Sequence, residues 1–234
     1  MKKKSLIEIQ NEIQTSIETP NSAGSRVKIL AVSKKQSVEA ITQLYQQGQN
    51  LFGENYVQEA LEKMDQIKFP VAWHFIGHLQ SNKVKDVVGK FELIHSVDSL
   101  KLAQKIDKRA KELKLTQKIL VEVNVGQENS KSGFSIERLK TEWPQLIQLE
   151  NIALHGLMCL PPQEEDPKKT EIHFQKTANL LDELKEIMKQ HQIDRRERHL
   201  MNELSMGTSS DFILALKHKA TIIRLGTILF GERK

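Results

Sequence analysis

The chain has 234 residues, 35 of them basic and 30 acidic, and carries a formal net charge of +5. This length fits one large domain or two small ones, and the modest positive excess favours anionic ligands without requiring nucleic acid. Aromatic residues make up only 5% of the chain, so a platform that stacks single-stranded bases is not expected.

The start of the chain predicts neither export nor membrane insertion. Three lysines, Lys2 to Lys4, precede a segment, residues 5–12, that is too polar for the apolar part of a signal peptide. No apolar run approaches the roughly 20 residues needed to cross a bilayer. The single cysteine, Cys159, excludes an intramolecular disulfide and favours a cytoplasmic location.

The predicted elements begin with a helix over residues 5–18, where Ser5 and Glu8 have capping-box spacing. A turn-rich link, residues 19–24, leads into the first of eight short apolar segments that are typical of buried strands. These strands are predicted at residues 27–34, 50–53, 71–76, 91–97, 118–125, 153–160, 199–206 and 220–225. Helices are predicted over residues 37–47 and 56–67. Four more are predicted with one boundary each: a helix that begins near residue 81, one after strand four that ends at residue 113, one after strand six that ends at about residue 190, and one that begins near residue 209.

Strands that alternate with helices indicate right-handed βαβ units and a parallel sheet. Eight such units in about this length predict an α/β architecture, a single (β/α)8 TIM barrel with an extra N-terminal helix. We expect one domain over residues 1–234, with the helix and link in residues 1–24, because no interdomain linker is evident. An open doubly wound sheet is the alternative, but its Gly-x-Gly-x-x-Gly fingerprint is absent.

Lys34 ends the first predicted strand. A lysine at a strand tip that opens onto a cleft can lose its proton and form Schiff bases with carbonyls. The alternative is a solvated loop residue beside Lys35. Active sites of TIM barrels lie at the C-terminal strand ends, which favours the functional interpretation. The polar residues expected around this mouth are Lys34, Asn55, His78, Asn124, Ser205 and Arg224.

Two segments near the end of the chain predict a phosphate site. Residues 204–210 end strand seven with hydroxyls and backbone N–H groups, and residues 224–227 end strand eight, where Gly226 and Thr227 allow close approach and offer a hydroxyl. The alternative is that Ser209 is only a helix cap and Gly226 only a turn. An amine facing a phosphate site predicts pyridoxal phosphate held as a lysine aldimine, or a sugar phosphate in a Schiff-base aldolase. The pattern does not separate these two ligands.

Several segments, taken together, resemble the YggS-type pyridoxal phosphate homeostasis proteins. The match runs from about Val27 to the C-terminus, and its most specific parts are residues 52–59 and 73–83. The other matching segments are residues 31–34, 131–134, 155–158, 204–207, 224–227 and 230–231. The resemblance implies a single barrel similar to the N-terminal domain of alanine racemases, which binds pyridoxal 5′-phosphate through a lysine.

The resemblance also assigns roles to individual positions. Lys34 corresponds to the Schiff-base lysine, and Arg224 to an arginine that faces the pyridine nitrogen. A permanent positive charge there disfavours protonation of the ring and makes it a poorer electron sink. The remaining cofactor-binding positions implied are Asn55 lining the pocket, Ser209, Gly226 and Thr227 at the phosphate, and Ser205 as their neighbour.

The chain departs from the family pattern in three places. Thr208 stands where methionine is more frequent, His218-Lys219 replaces a glycine before strand eight, and the charged residues 194–198 resemble an insert before strand seven. None of these departures involves Lys34 or Arg224.

Three functions are weighed. The first is a protein without strong catalysis that buffers pyridoxal phosphate and delivers it to apoenzymes, as a monomer or weak dimer; no catalytic residue is assigned. The chain stops just after the barrel, and alanine racemases use a tyrosine from a second domain. The second is an amino-acid racemase with His78 or another residue of the mouth as the second base.

The third function is nucleic-acid binding by Lys83, Lys85 and Lys90, but such charge runs are usually solvated helix faces. We therefore expect neither a nucleic-acid nor a membrane partner. No metal is expected, because the histidines at strands lack ligand spacing from acidic or cysteine partners; these are His74, His95 and His155. Met158 and Cys159 are expected to pack near the cofactor ring.

Overall fold

The computed structural model describes residues 2–17, 27–126, 132–162, 166–190 and 199–231. Eight parallel strands form a closed barrel in chain order, which confirms the predicted (β/α)8 fold. The closing contact pairs the first strand with the eighth, with Ile29 opposite Ile223, so the alternative of an open sheet is wrong. The predicted link at residues 19–24 and the charged segment 194–198 lie outside the described residues.

The strands are β1 (Lys28–Val32), β2 (Leu51–Glu54), β3 (Ala72–Phe75), β4 (Leu93–Val97), β5 (Gln117–Val123), β6 (Ile152–Cys159), β7 (Glu203–Thr208) and β8 (Ile222–Leu225). The helices are α1 (Leu6–Ser16), α2 (Val38–Gln46), α3 (Val57–Gln66), α4 (Val84–Val87), α5 (Leu100–Glu112), α6 (Ile136–Leu146), α7 (Pro167–Gln190), α8 (Phe212–Lys217) and α9 (Thr227–Phe230). A 3-10 turn, Ser81–Lys83, leads into α4. None of the helices in the described ranges is long and apolar enough to cross a membrane.

Two strand boundaries and one helix differ clearly from the predictions. β1 ends at Val32, and Lys34 lies in the following turn, where Lys35 has a left-handed φ of 58°. β7 begins four residues later than predicted, because the preceding segment contacts β6 irregularly and Met201 also has a positive φ of 44°. Helix α6, capped by the Ser135 hydroxyl, has no counterpart among the predicted elements.

Helix α1 belongs to the outer layer of the barrel. Its predicted capping box is present, with the Ser5 hydroxyl accepting from the Glu8 N–H. Leu6, Ile9 and Ile13 are buried, and α1 packs against α8. The N–H of Lys4 donates to the carbonyl of Ile228 in α9 at 2.8 Å. Because β8 is followed by a single helical turn, α1 supplies packing on the side where a longer eighth helix would otherwise lie.

The barrel interior separates its two ends. An apolar layer inside the barrel is formed by Leu30, Leu93, Leu120, Met158 and Ile222, while the larger core lies between strands and helices. At the N-terminal end, Lys28 forms an ion pair with Glu203. The C-terminal end carries the polar side chains of Lys34, Asn55 and Ser209.

Candidate functional site

A cleft of about 330 Å³ lies at the C-terminal mouth of the barrel. Its size is within the range of small-molecule sites. It is lined by Val32, Lys34, Asn55, Ile76, Leu160, Thr208, Ser209, Ser210, Arg224, Gly226 and Thr227. A larger cavity of about 460 Å³ lies at the N-terminal ends of β1 and β2 beside α1, but the predicted chemistry converges only on the cleft.

One side of the cleft, here called the lysine wall, is formed by Lys34 and Asn55. Lys34 follows β1 and is half-buried. Asn55 follows β2, and its Oδ1 atom is buried without a hydrogen-bond partner in the described part of the chain. Gly77 permits this arrangement, because a Cβ there would lie 2.0 Å from the carbonyl oxygen of Asn55. A ligand with a polar hydrogen would satisfy the Asn55 side chain.

A second part of the lining, here called the hydroxyl wall, is formed by Thr208 at the end of β7, by residues 209–210 after it, and by Gly226 and Thr227 after β8. Ser209 Oγ accepts from the backbone N–H groups of Gly226, at 3.2 Å, and Ile228, at 3.4 Å. The predicted helix start at Ser209 is wrong by three residues, since α8 begins at Phe212. Ser209 therefore joins the two loops and bonds to the first turn of α9 instead of capping α8, and hydroxyls and N–H groups meet where an anion would bind.

Gly207 allows α8 to pack behind the hydroxyl wall. Its φ is +90°, and a Cβ there would lie 2.7 Å from Ala215 Cβ and 2.9 Å from Phe212 Cα. Asp211 closes the turn by accepting from the Thr208 N–H at 2.6 Å and the Thr208 hydroxyl at 2.9 Å. These contacts fix the loop from which Ser209 and Ser210 project.

Arg224, in β8, also lines the cleft and is 7% exposed. Its Nη1 donates to the Ser205 carbonyl at 2.6 Å and to the Ser205 hydroxyl at 2.9 Å, and its Nη2 donates to the Cys159 carbonyl at 2.9 Å. Burial lowers the pKa of the Arg224 guanidinium from its ordinary value. Because that ordinary value is very high, the group stays charged. The arginine is thus held by neutral acceptors and presents a positive charge to the cleft.

Ser205 is fully buried beneath Arg224 and does not line the cleft. Its hydroxyl lies 2.9 Å from His95 Nδ1, and His95 Nε2 lies 2.9 Å from His74 Nδ1. Burial lowers the pKa of His74 to about 3 and that of His95 well below its ordinary value. Both imidazoles are therefore neutral, and Ser205 contacts the arginine instead of the predicted phosphate region.

The other sequence-predicted candidates lie away from the cleft. His78 is exposed, with its Nδ1 3.4 Å from Asp98 Oδ2, and neither His78 nor Asn124 lines the cleft. The prediction that the Cys159 thiol packs near the ring is wrong, because this buried thiol bonds to Thr177 of α7 outside the barrel. Burial raises the pKa of Cys159 to about 11, so thiolate chemistry is not favoured.

Sequence reasoning missed two features of the mouth. Ser210 lines the cleft beside Ser209, and its position in the run of hydroxyl residues 208–210 was the available signal. Glu122, at the end of β5, has its pKa raised to about 7 by burial and by the charge of Asp98, while Arg224 lowers it. Within the described ranges, no three His, Cys, Asp or Glu side chains are grouped to hold a metal ion.

The chain is similar in sequence and in structure to known proteins over nearly its whole length. Residues 11–234 match the family described as "Alanine racemase, N-terminal domain". The pyridoxal phosphate homeostasis protein of Aquifex aeolicus is 41% identical over 230 residues, which cover 98% of this chain and 97% of that protein. PipY of Synechococcus elongatus without PLP has a TM-score of 0.82 and 37% identity, and covers 95% of this chain and 100% of its own. With PLP bound, PipY gives a TM-score of 0.80 and 36% identity at the same coverage. The chain belongs to the alanine racemase N-terminal domain family and, within it, to the pyridoxal phosphate homeostasis proteins.

Proposed function

We propose that this chain binds pyridoxal 5′-phosphate and acts in its intracellular homeostasis or delivery, without strong catalysis of its own. In this proposal Lys34 holds the aldehyde as an aldimine, and residues 209, 226 and 227 hold the phosphate. The observation that carries it is that Lys34 and these groups line one and the same cleft. The same proposal places the protein in the cytoplasm as a single domain over residues 1–234. It acts there as a monomer or weak dimer, with apoenzymes as the recipients of the cofactor.

The groups around the cleft fit this ligand chemically. The lysine wall offers a primary amine, the hydroxyl wall offers neutral donors to an anion, and Val32, Ile76 and Leu160 offer apolar contact for an aromatic ring. When bound, the cofactor supplies an aldehyde that condenses with an amine, releasing water. The relatives named for pyridoxal phosphate homeostasis favour this ligand over a sugar phosphate.

Arg224 supports the non-catalytic part of the proposal. A guanidinium that donates but cannot accept hydrogen bonds keeps a proton off a ring nitrogen placed beside it. An unprotonated ring withdraws electrons weakly, so carbanion chemistry receives little help.

The position of His78 argues against the racemase alternative. Racemisation needs a second base beside the ligand. Among the described residues that line the cleft, only Lys34 and Arg224 have ionisable side chains, and His78 lies outside it. A direct test is to incubate the protein with D- and L-amino acids in deuterated water. Rapid exchange of the Cα proton of these amino acids would favour the racemase.

An absorption spectrum tests the proposal. We expect purified protein with pyridoxal phosphate to show a visible Schiff-base band that Lys34→Ala removes. Lys85→Ala, which alters an exposed lysine of α4, is the matched control and should keep the band. A band that persists unchanged in Lys34→Ala would overturn the assignment of Lys34.

A further inference from the structure

Next to the lysine wall lies a group of charged side chains, the buried Glu54 and Lys63 and the partly exposed Glu59, here called the Lys63 cluster. We propose that the Lys63 cluster is a positioning device that fixes the backbone on both sides of Lys34 and thereby sets the rate at which Lys34 captures an aldehyde. This inference rests on the proposed function and adds three residues that act through Lys34, without touching the ligand.

The centre of the cluster is the ammonium group of Lys63 in α3. It donates to the Ser33 carbonyl at 2.6 Å, to Glu54 Oε1 at 2.7 Å and to Glu59 Oε1 at 2.6 Å. These three acceptors match the three protons of an ammonium. The side chain of Lys63 is 7% exposed and that of Glu54 is 0% exposed, so solvent hardly screens the ion pair between these two residues.

The two peptide groups that flank Lys34 are both bonded to this cluster. The Ser33 carbonyl, on the N-terminal side, accepts from Lys63. The Lys35 N–H, on the C-terminal side, donates to Glu59 Oε1. The Ser33 hydroxyl adds a third contact, donating to Glu54 Oε1 at 2.7 Å. With both neighbouring peptide planes fixed, the two backbone dihedral angles of Lys34 are fixed as well.

This turn needs such support. Lys35 has a φ of 58°, a left-handed conformation that is unfavourable for a residue with a Cβ. The contact between the Lys35 N–H and Glu59 holds the backbone at that point. Without this contact the turn relaxes, and the position of Lys34 at the cleft changes with it.

The cluster is poorly explained as a device for stability alone. Burial raises the pKa of Glu54 despite the opposing effects of Lys63 and Ser33, and its Oε2 is buried without a partner in the described part of the chain. A buried ion pair often contributes little compared with a well-packed apolar pair. Its connection to both peptide groups of Lys34 gives it a positional role instead.

The dependence on position follows from the chemistry of capture. The Lys34 ammonium releases one proton to solvent, its nitrogen bonds to the aldehyde carbon, and the aldehyde oxygen leaves as water when the C=N bond is complete. A misplacement of about 1 Å can slow such a step by about 100-fold. Phosphate binding at the hydroxyl wall involves none of these atoms.

The test compares covalent capture with non-covalent binding. The double variant Glu54→Gln/Lys63→Met keeps the shape of the pair and removes both charges, and Glu59→Ala frees only the Lys35 N–H and Lys63. Glu62→Gln, on the exposed side of α3 where Glu62 accepts from Gln58 at 3.2 Å, is the matched control. Capture of pyridoxal phosphate is followed by stopped-flow absorption, and affinity is measured with pyridoxine 5′-phosphate, which has no aldehyde.

We expect the double variant to slow capture at least about tenfold and Glu59→Ala to slow it several-fold, with pyridoxine phosphate affinity within about twofold of wild type. Amide hydrogen exchange at Lys35 in ligand-free protein should accelerate in both variants.

Capture at the wild-type rate, or a parallel loss of pyridoxine phosphate affinity, overturns the positioning role. If wild type itself forms no borohydride-stable adduct on Lys34, the proposed function fails instead, and this inference fails with it. Should the double variant not fold, Glu59→Ala, whose altered side chain is 26% exposed, decides the matter.

Discussion

The two walls of the cleft use different chemistry to hold their functional groups. The lysine wall is supported by a network of charges, in which Lys63 and Glu59 bond to the backbone beside Lys34 and Glu54 accepts from Lys63 and from the Ser33 hydroxyl. The hydroxyl wall is supported by the backbone itself, with Gly207 at a positive φ and Ser209 bonded to two N–H groups. A reacting amine must be aimed, whereas an anion is bound by any convergent set of donors. We therefore expect aldehyde capture by Lys34 to depend strongly on the geometry of the lysine wall, and phosphate binding to depend less on the geometry of the hydroxyl wall.

The largest expected effect concerns the charges behind the lysine wall. Lys63→Met alone leaves the Glu54 carboxylate buried without its cation, and we expect a loss of about 3–5 kcal/mol in the free energy of unfolding. Urea unfolding at neutral pH measures it. The neutral double variant Glu54→Gln/Lys63→Met should recover most of this loss. Equal losses in the single and double variants would contradict the ion-pair account of this wall.

The next effect concerns the hydroxyl wall. Gly207→Ala forces a Cβ to within 2.7 Å of Ala215 and strains a left-handed backbone, at a cost of about 2–3 kcal/mol. Binding of pyridoxine phosphate should weaken, while capture of unphosphorylated pyridoxal by Lys34 should be unchanged. Gly48→Ala, also at a positive φ but with nothing within 4 Å of the added Cβ, separates strain from clash. If pyridoxal capture fell as much as phosphate binding, the two walls would not be independent.

Much of this architecture could be predicted from the sequence, because local patterns determine it. Short apolar runs alternating with amphipathic helices led to the barrel, and hydroxyls after β7 and β8 led to Ser209, Gly226 and Thr227, which line the cleft. The partners of Ser205 could not be predicted in this way. The register between β7 and β8 shifts between Ser205 and Thr208, which places Ser205 below Arg224.

The charged support of Lys34 was equally invisible in the sequence. Glu54 stands at a strand end, where a carboxylate is typically solvated, and Lys63 resembles one of many surface lysines of an amphipathic helix. Their burial results from the packing of α3 over the ends of β1 and β2. The outward direction of Cys159 likewise follows from the strand parity of β6, which its apolar run of residues does not reveal.

A smaller effect concerns the carboxyl group of Glu122 in β5, which interacts electrostatically with Arg224. Its pKa is raised to about 7, chiefly by burial, against about 4.3 in an unfolded chain. Between these values the folded chain holds a proton that the unfolded chain has lost, so stability falls as pH rises from about 4 to 7. Relative to wild type, Glu122→Gln should gain about 1–3 kcal/mol between pH 5 and pH 8 in urea unfolding.

Asp98→Asn serves as the control for this pH effect, because Asp98 contributes to raising the pKa of Glu122. The wild-type loss of stability between pH 5 and pH 8 should shrink in this variant. A Glu122→Gln variant whose stability follows that of wild type at every pH would show that Glu122 titrates normally.

The smallest effect concerns one hydroxyl. Thr227→Val keeps the shape of a residue that lines the hydroxyl wall and removes one donor to the phosphate, a loss of about 1.5 kcal/mol. Pyridoxine phosphate affinity, measured by calorimetry, should fall about tenfold, with no change in the rate at which Lys34 captures pyridoxal. Thr141→Val, on the exposed face of α6, should change neither quantity. An unchanged phosphate affinity in Thr227→Val would remove Thr227 from the site.

The most direct test of the account is to identify the amine that captures the aldehyde. Protein saturated with pyridoxal phosphate is reduced with borohydride, digested, and mapped by mass spectrometry. We predict a single phosphopyridoxyl group on Lys34, with none on Lys35 or Lys63. Modification spread over several exposed lysines, or absent from Lys34, would contradict the central claim.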